Sequence, residues 1–175
     1  MKKISPDISL RELALRVGRV LKDAGIDGVL SGGAVVSIYT RTRYQSFDLD
    51  FITHSSLKDL EAVLSPLGFI RKGRLFMHPD TNFYLDFPAP PLSVGNRPVS
   101  EFKELRDGSG YLKLLTPTHC VMDRLAAYFH WNDHQALEQA LMVARAQRID
   151  MEEVRSWSEA EGMSDRFHTF HDRLE

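Results

Sequence analysis

The chain has 175 residues, 43% of them apolar and 26% charged, which is one domain's worth of ordinary globular composition and excludes disordered, collagen-like and coiled-coil chains. Twenty-two Lys and Arg against 24 Asp and Glu leave a formal charge of −2, so the chain as a whole has no basic footprint for nucleic acid. The one cysteine, Cys120, excludes an internal disulfide and any paired-cysteine zinc or redox site. No apolar run nears the roughly 20 residues that a bilayer span needs. The N-terminus, Met1 to Asp7, has two lysines and no apolar stretch behind them, so no signal peptide is expected and a cytoplasmic location is the simplest reading.

Leu10, Leu13, Val17, Val20 and Leu21 recur at helical spacing, predicting an amphipathic helix over about 9–25 that Gly25 and Asp27-Gly28 end. Gly28-Val29-Leu30 reads as a short buried strand running into Ser31-Gly32-Gly33, with a helix resuming over 34–40. Residues 47–53 read as a second strand, and Ser56 caps a helix over about 57–66. Short strands are expected at 69–71 and 75–77 around Lys72-Gly73, and again at 83–87. Five prolines and glycines among residues 88–98 predict an irregular loop held partly extended. After a last strand at 111–115, Thr116-Pro117 opens a helical half with helices at about 117–130, 133–147 and 150–161. Asp150 with Glu153 resembles a capping box, and the polar last dozen residues read as helical or frayed. The expectation is an α/β (α+β) core over 1–115, a mixed β-sheet flanked by helices, followed by a C-terminal helical segment over 116–175.

The chemistry concentrates in Ser31-Gly32-Gly33-Ala34, Arg43 and Ser46-Phe47-Asp48-Leu49-Asp50-Phe51. Side chains alternate along a strand, so Asp48 and Asp50 face one way while Leu49 and Phe51 face the core. Two like charges about 7 Å apart on one strand face repel unless a positive group lies between them. A hard divalent cation, Mg²⁺ or Mn²⁺, is the natural partner. Asp86 is another lone acid in an apolar strand, and it would join them if the two strands were neighbours. Three carboxylates then serve as metal ligands, with one left to accept a proton from an attacking hydroxyl. A strand, Gly-Gly and helix junction lets the backbone approach a phosphate, with free N–H groups at the helix start. Ser31 and Ser37 add hydroxyl donors, and Arg43 is a candidate bidentate phosphate partner. Arg71, Lys72 and Arg74 read as a solvated turn, with an acceptor-binding patch as the alternative. Cys120, with Val121, Leu125 and Phe129, reads as the buried face of a helix rather than as a nucleophile.

These residues in this order resemble the nucleotidyltransferase superfamily that includes DNA polymerase β. More closely they resemble the bacterial AbiEii-type toxin nucleotidyltransferases and related small domains, which carry Gly-Gly, then Arg, Ser and Asp-x-Asp-Phe at spacing like that of Gly32-Gly33, Arg43, Ser46 and Asp48 to Phe51. Where that family has a triphosphate-binding Lys on the later helices this chain has Arg124, and Asp133 follows Asn132 where the family has a basic residue. The resemblance implies a nucleotidyltransferase-type sheet and Mg²⁺-dependent transfer of a nucleoside monophosphate from an NTP to a hydroxyl of RNA, a protein or a small molecule. The catalytic set would be Asp48, Asp50 and Asp86, and the nucleotide-binding set Ser31, Gly32, Gly33, Ser37, Arg43 and Arg124. The alternative is a module that keeps the fold but binds or regulates a protein partner, as in a toxin–antitoxin pair.

Overall fold

The structure is a computed structural model that describes residues 3–175. Helix α1, Leu10–Asp23, starts where the Ser9 side chain accepts the Glu12 N–H, and it buries Leu10, Leu13, Ala14, Val17 and Leu21. Then come β1 (Val29–Ser31), α2 (Gly32–Tyr39), β2 (Asp48–Ile52) and α3 (Leu57–Leu64), followed by one 3₁₀ turn. Strands β3 (Ile70–Lys72), β4 (Leu75–Met77), β5 (Tyr84–Asp86), β6 (Ser93–Val94), β7 (Arg97–Pro98), β8 (Phe102–Asp107) and β9 (Gly110–Leu115) precede four helices. These are α4 (Pro117–Trp131), α5 (His134–Ala146), α6 (Met151–Ala160) and α7 (Ser164–Leu174).

Seven strands form one mixed sheet in the order β3-β4-β5-β2-β1-β9-β8, and β6 and β7 make a separate hairpin. The β2–β5 and β1–β9 pairs are parallel and the others antiparallel. Leu30 pairs with Phe51 and with Leu114, while Leu49 pairs with Leu85, which pairs with Phe76. These side chains therefore share one face, and all are buried in the core. Burying this face is the main force assembling the strands. Helix α1 packs on β9, while α2 contacts β1, β2, α4 and α5. No helix among the described residues is long and apolar enough to cross a membrane.

The expected mixed sheet flanked by helices is present, and the caps at Ser56 and Thr116 form as read. Several local expectations need correction. Asp150 caps α6 by accepting the Glu153 N–H, but the Asp150 N–H donates to Thr118 Oγ1, so only half a capping box exists. Helix α2 begins at Gly32, two residues before the expected start. The 88–98 loop contains the β6–β7 hairpin, which is held from outside. Trp157 Nε1 donates to the Val94 carbonyl at 3.1 Å, and the Asn96 N–H donates to the Glu161 carboxylate at 2.8 Å. Strand β8 was not foreseen, because Phe-Lys-Glu-Leu-Arg-Asp is a charged edge strand whose order comes from six register pairs with β9. The polar tail forms α7, anchored by buried Phe167 and Phe170.

Gly18 sits where α1 crosses β9, and a Cβ there would lie 2.3 Å from the Tyr111 carbonyl oxygen and 3.1 Å from Leu112 Cα. Both are backbone atoms and cannot yield cheaply. Helix propensity alone would make Gly18→Ala stabilising by about 1 kcal/mol. Overpacking reverses the sign, with an expected loss of about 1–3 kcal/mol. Thermal unfolding checks this: the midpoint falls by several degrees, and an unchanged or raised midpoint would contradict the close crossing.

Candidate active site

The carboxylates are placed by strand register. In the parallel β2–β5 pair Asp50 stands opposite Asp86, and Asp48 opposite Tyr84. On the other side of β2, Ser31 pairs with Asp50. Ser31, Asp50 and Asp86 thus form one row across three adjacent strands, on the face opposite Leu49, Phe51 and Leu85. Those three residues are fully buried, so β2 and β5 cannot turn over without exposing the core.

Each acid has a different environment. Asp48 Oδ1 accepts from Ser46 Oγ at 2.7 Å. Asp86 is buried, and both of its oxygens are engaged: Oδ1 accepts the Phe87 N–H at 2.8 Å and Oδ2 accepts from Arg74 Nη2 at 2.8 Å. Asp50 has no side-chain hydrogen bond among the described residues. Its Oδ2 lies against Gly32, where a Cβ would sit only 2.7 Å away. Gly32 also has φ +69°, a left-handed conformation that a side chain would strain. Glycine is required there for two separate reasons. Gly33 is similarly close to Ser46 Oγ and the Tyr44 ring, each 3.2 Å from a notional Cβ.

The electrostatics reflect this crowding. Burial first, then the charges of Asp48 and Asp86, push the Asp50 carboxyl up to about 7, with Arg124 pulling the other way and Asp123 adding to the rise. Tyr84 is pushed up by loss of solvent and by the same three aspartates. Among the described residues no group of three or more His, Cys, Asp or Glu side chains is gathered so as to hold a metal ion. The acids share a face but their side chains diverge, Asp48 to Ser46 and Asp86 to Arg74.

The residues read as nucleotide contacts separate into two groups. Gly32, Gly33 and Ser31 lie at the acid row, although the Ser31 hydroxyl is directed to the Asp50 carbonyl at 3.3 Å. Arg124, on α4, acts electrostatically on Asp50 but is tied to Asp123 Oδ2 by Nε at 3.0 Å and Nη2 at 2.6 Å. Ser37 is not brought to the acids. Its buried hydroxyl donates to the Tyr44 carbonyl and accepts the Ser46 N–H, so it pins the segment before β2. Arg43 is exposed on that segment and makes no side-chain hydrogen bond or ion pair among the described residues. A cavity of about 460 Å³ between α4 and the β6–β7 hairpin is lined by Asp123, Arg124, Asn96, His130 and Trp131. A larger groove of about 930 Å³ lies between α1 and the β8–β9 turn. Neither is lined by the three acids, so chemistry and not concavity locates the site.

Three further residues reach the site: Ser46 holds Asp48, Arg74 pairs with Asp86, and Asp123 orients Arg124. Ser46 lies in the chemistry-bearing stretch of the sequence, and its place two residues before Asp48 was the available signal. Arg74 had none, because its contact depends on how the β3–β4 turn folds over β5.

The raised Asp50 carboxyl gives a testable sign. An aspartate in the unfolded chain loses its proton near pH 4. The folded chain keeps that proton until about pH 7. Stability therefore falls as pH rises from about 4 to about 7, by at most about 1.4 kcal/mol per pH unit before solvent screening lessens it. Thermal midpoints of wild type and Asp50→Asn in chelated buffer check this. The variant should lack that part of the decline and gain on wild type above pH 7, whereas parallel curves would contradict the burial of this charge.

A scan of protein-family models finds no match, and a search of curated proteins finds no significant one. Among solved structures the chain is similar to ANT(2")-Ia, whose crystal structure is in complex with adenylyl-2"-tobramycin. The likeness covers 95% of this chain and 98% of that one, at 13% identity and a TM-score of 0.49. The functional reading rests on the side chains at β1, β2 and β5 themselves.

Proposed function

We propose that the chain is a nucleotidyltransferase that moves a nucleoside monophosphate from an NTP to a hydroxyl acceptor. The observation that carries this reading is the in-register pairing of Asp50 with Asp86, with Asp48 on the same face, beside a Gly32-Gly33 turn that touches the Asp50 carboxylate. The donor set is carboxylate oxygen only, which suits Mg²⁺ or Mn²⁺; burial first, and the neighbouring Asp48 and Asp86 charges second, push Asp50 up, and a cation would relieve the second of these. Asp48, Asp50 and Asp86 would hold the ion. When bound, it neutralises triphosphate charge and lowers the cost of attack at the α-phosphorus.

The chain's own residues supply the rest. The backbone at Gly32 and Gly33 opens α2 beside the Asp50 carboxylate, and its N–H groups would meet a phosphate there. Arg124 adds positive charge from α4, oriented by Asp123 and, at 3.4 Å, by Gln139. The acceptor oxygen forms its bond to the α-phosphorus as pyrophosphate leaves, and the hydroxyl proton passes to a carboxylate of the row, Asp86 in our assignment. Catalysis of this kind is positioning and charge neutralisation.

The test is incubation with each α-labelled NTP and Mg²⁺ in the presence of RNA, protein or small-molecule pools. Label should move to one pool with release of pyrophosphate, and Asp50→Asn should lower the rate by about 100-fold or more. Full activity in that variant would overturn the mechanism. Binding of NTP without transfer to any pool would favour a regulatory module acting on a protein partner. That alternative is motivated by Arg124 being tied to Asp123 and Asp86 to Arg74.

A further inference from the structure

We propose that Arg74 guards the carboxylate site: its guanidinium occupies Asp86 and has to be displaced before a divalent cation can take that carboxylate. This rests on the metal-dependent reading above and concerns how the site is loaded.

Both Asp86 oxygens carry a partner. Oδ1 is fixed by the Phe87 N–H of its own strand, and Oδ2 is held by Arg74 Nη2, both at 2.8 Å. The two partners differ in freedom. The Asp86 side chain is 12% exposed and anchored at the end of β5, whereas that of Arg74 is 65% exposed and reaches in from the β3–β4 turn. The turn itself is open, with nothing within 4 Å of a notional Cβ on Gly73. Asp86 is also the only side-chain partner of Arg74 among the described residues. A cation held with Asp50 and Asp86 would draw on the same carboxylate charge that Arg74 pairs with, and would compete for Oδ2, the oxygen not turned to the strand backbone. The guanidinium and the cation therefore compete for one carboxylate, and their like charges repel. Arg74 is the partner able to leave, since a half-exposed ion pair is weak and its arginine returns to water.

The neighbouring arginines do not have this freedom. Arg71 is bonded to Glu61 at 3.0 Å and to the Gly73 carbonyl at 3.0 Å. Arg124 is held by Asp123 and Gln139. Arg74 alone, among the described residues, pairs directly with one of the three acids.

The experiment is Mn²⁺ binding followed by electron paramagnetic resonance on wild type, Arg74→Ala, Arg74→Gln, Lys72→Ala and Asp50→Asn. Both Arg74 variants should bind Mn²⁺ about three- to tenfold more tightly than wild type, the fold-change expected from removing one charge-assisted competitor. Lys72→Ala removes an exposed charge two residues away and should change the affinity less than about twofold, because exposed charges are well screened. On the wild-type protein, Mn²⁺ should speed labelling of Arg74 by phenylglyoxal, read by peptide mass spectrometry. If Mn²⁺ binds and Asp50→Asn abolishes it, but the Arg74 variants match wild type or Lys72→Ala matches them, the guard is wrong and the metal site stands. If wild type binds no Mn²⁺, or Asp50→Asn binds it equally well, the metal site itself is wrong and the guard falls with it.

Discussion

The structure turns on one repulsive arrangement: two aspartates placed opposite each other on adjacent parallel strands, with a third on the same face. Asp50 and Asp86 cannot separate, because the opposite faces of β2 and β5 carry Leu49, Phe51 and Leu85 in the core. A one-residue slip would relieve the charge but expose that apolar set, at a cost of several kcal/mol. Hydrophobic burial thus holds like charges together that would otherwise spread apart. Burial first, and this repulsion second, push the Asp50 carboxyl up. Strongly perturbed carboxylates with like-charged neighbours cluster at functional sites.

The surroundings answer the repulsion in different ways at each acid. Ser46 steadies Asp48, the backbone and Arg74 take Asp86, and Asp50 meets only the approach of Gly32 and the more distant charge of Arg124. Asp50 is consequently the acid with the most unmet demand for positive charge. It is also the one beside the opening of α2, where backbone N–H groups attract anions. A cation and a phosphate are therefore both favoured at the same place, which is the combination that a metal-bound nucleoside triphosphate supplies.

The acids were legible in the sequence because a strand's period of two makes Asp-x-Asp between apolar residues unambiguous about facing. The Gly32-Gly33 turn was legible for a related reason, since a glycine pair between a strand and a helix signals close backbone approach. What was not legible depended on partners distant in sequence. Strand β8 takes its register from β9, and the β6–β7 hairpin is held from α6 and its end by Trp157, Glu153 and Glu161. Ser37 and Arg43 were drawn to the site by proximity in sequence, but Ser37 turns inward to Tyr44 and Arg43 stays on an exposed turn. Arg74, read with Arg71 and Lys72 as a solvated turn or an acceptor-binding patch, stays largely exposed yet reaches Asp86, because no local pattern reports the direction of a side chain at the tip of a turn.

The central claim is that the Asp48, Asp50 and Asp86 face binds a metal–nucleotide complex. Thermal unfolding with each NTP, with and without Mg²⁺, on wild type and Asp48→Asn tests it without knowledge of the acceptor. A ligand at about 100 times its dissociation constant adds roughly 2.7 kcal/mol. At about 2–4 °C per kcal/mol for a chain of this size, the midpoint rises by several degrees. The account predicts such a rise in wild type with at least one NTP, dependent on Mg²⁺ and absent in Asp48→Asn. The same rise in both proteins, or none with any NTP, would contradict it.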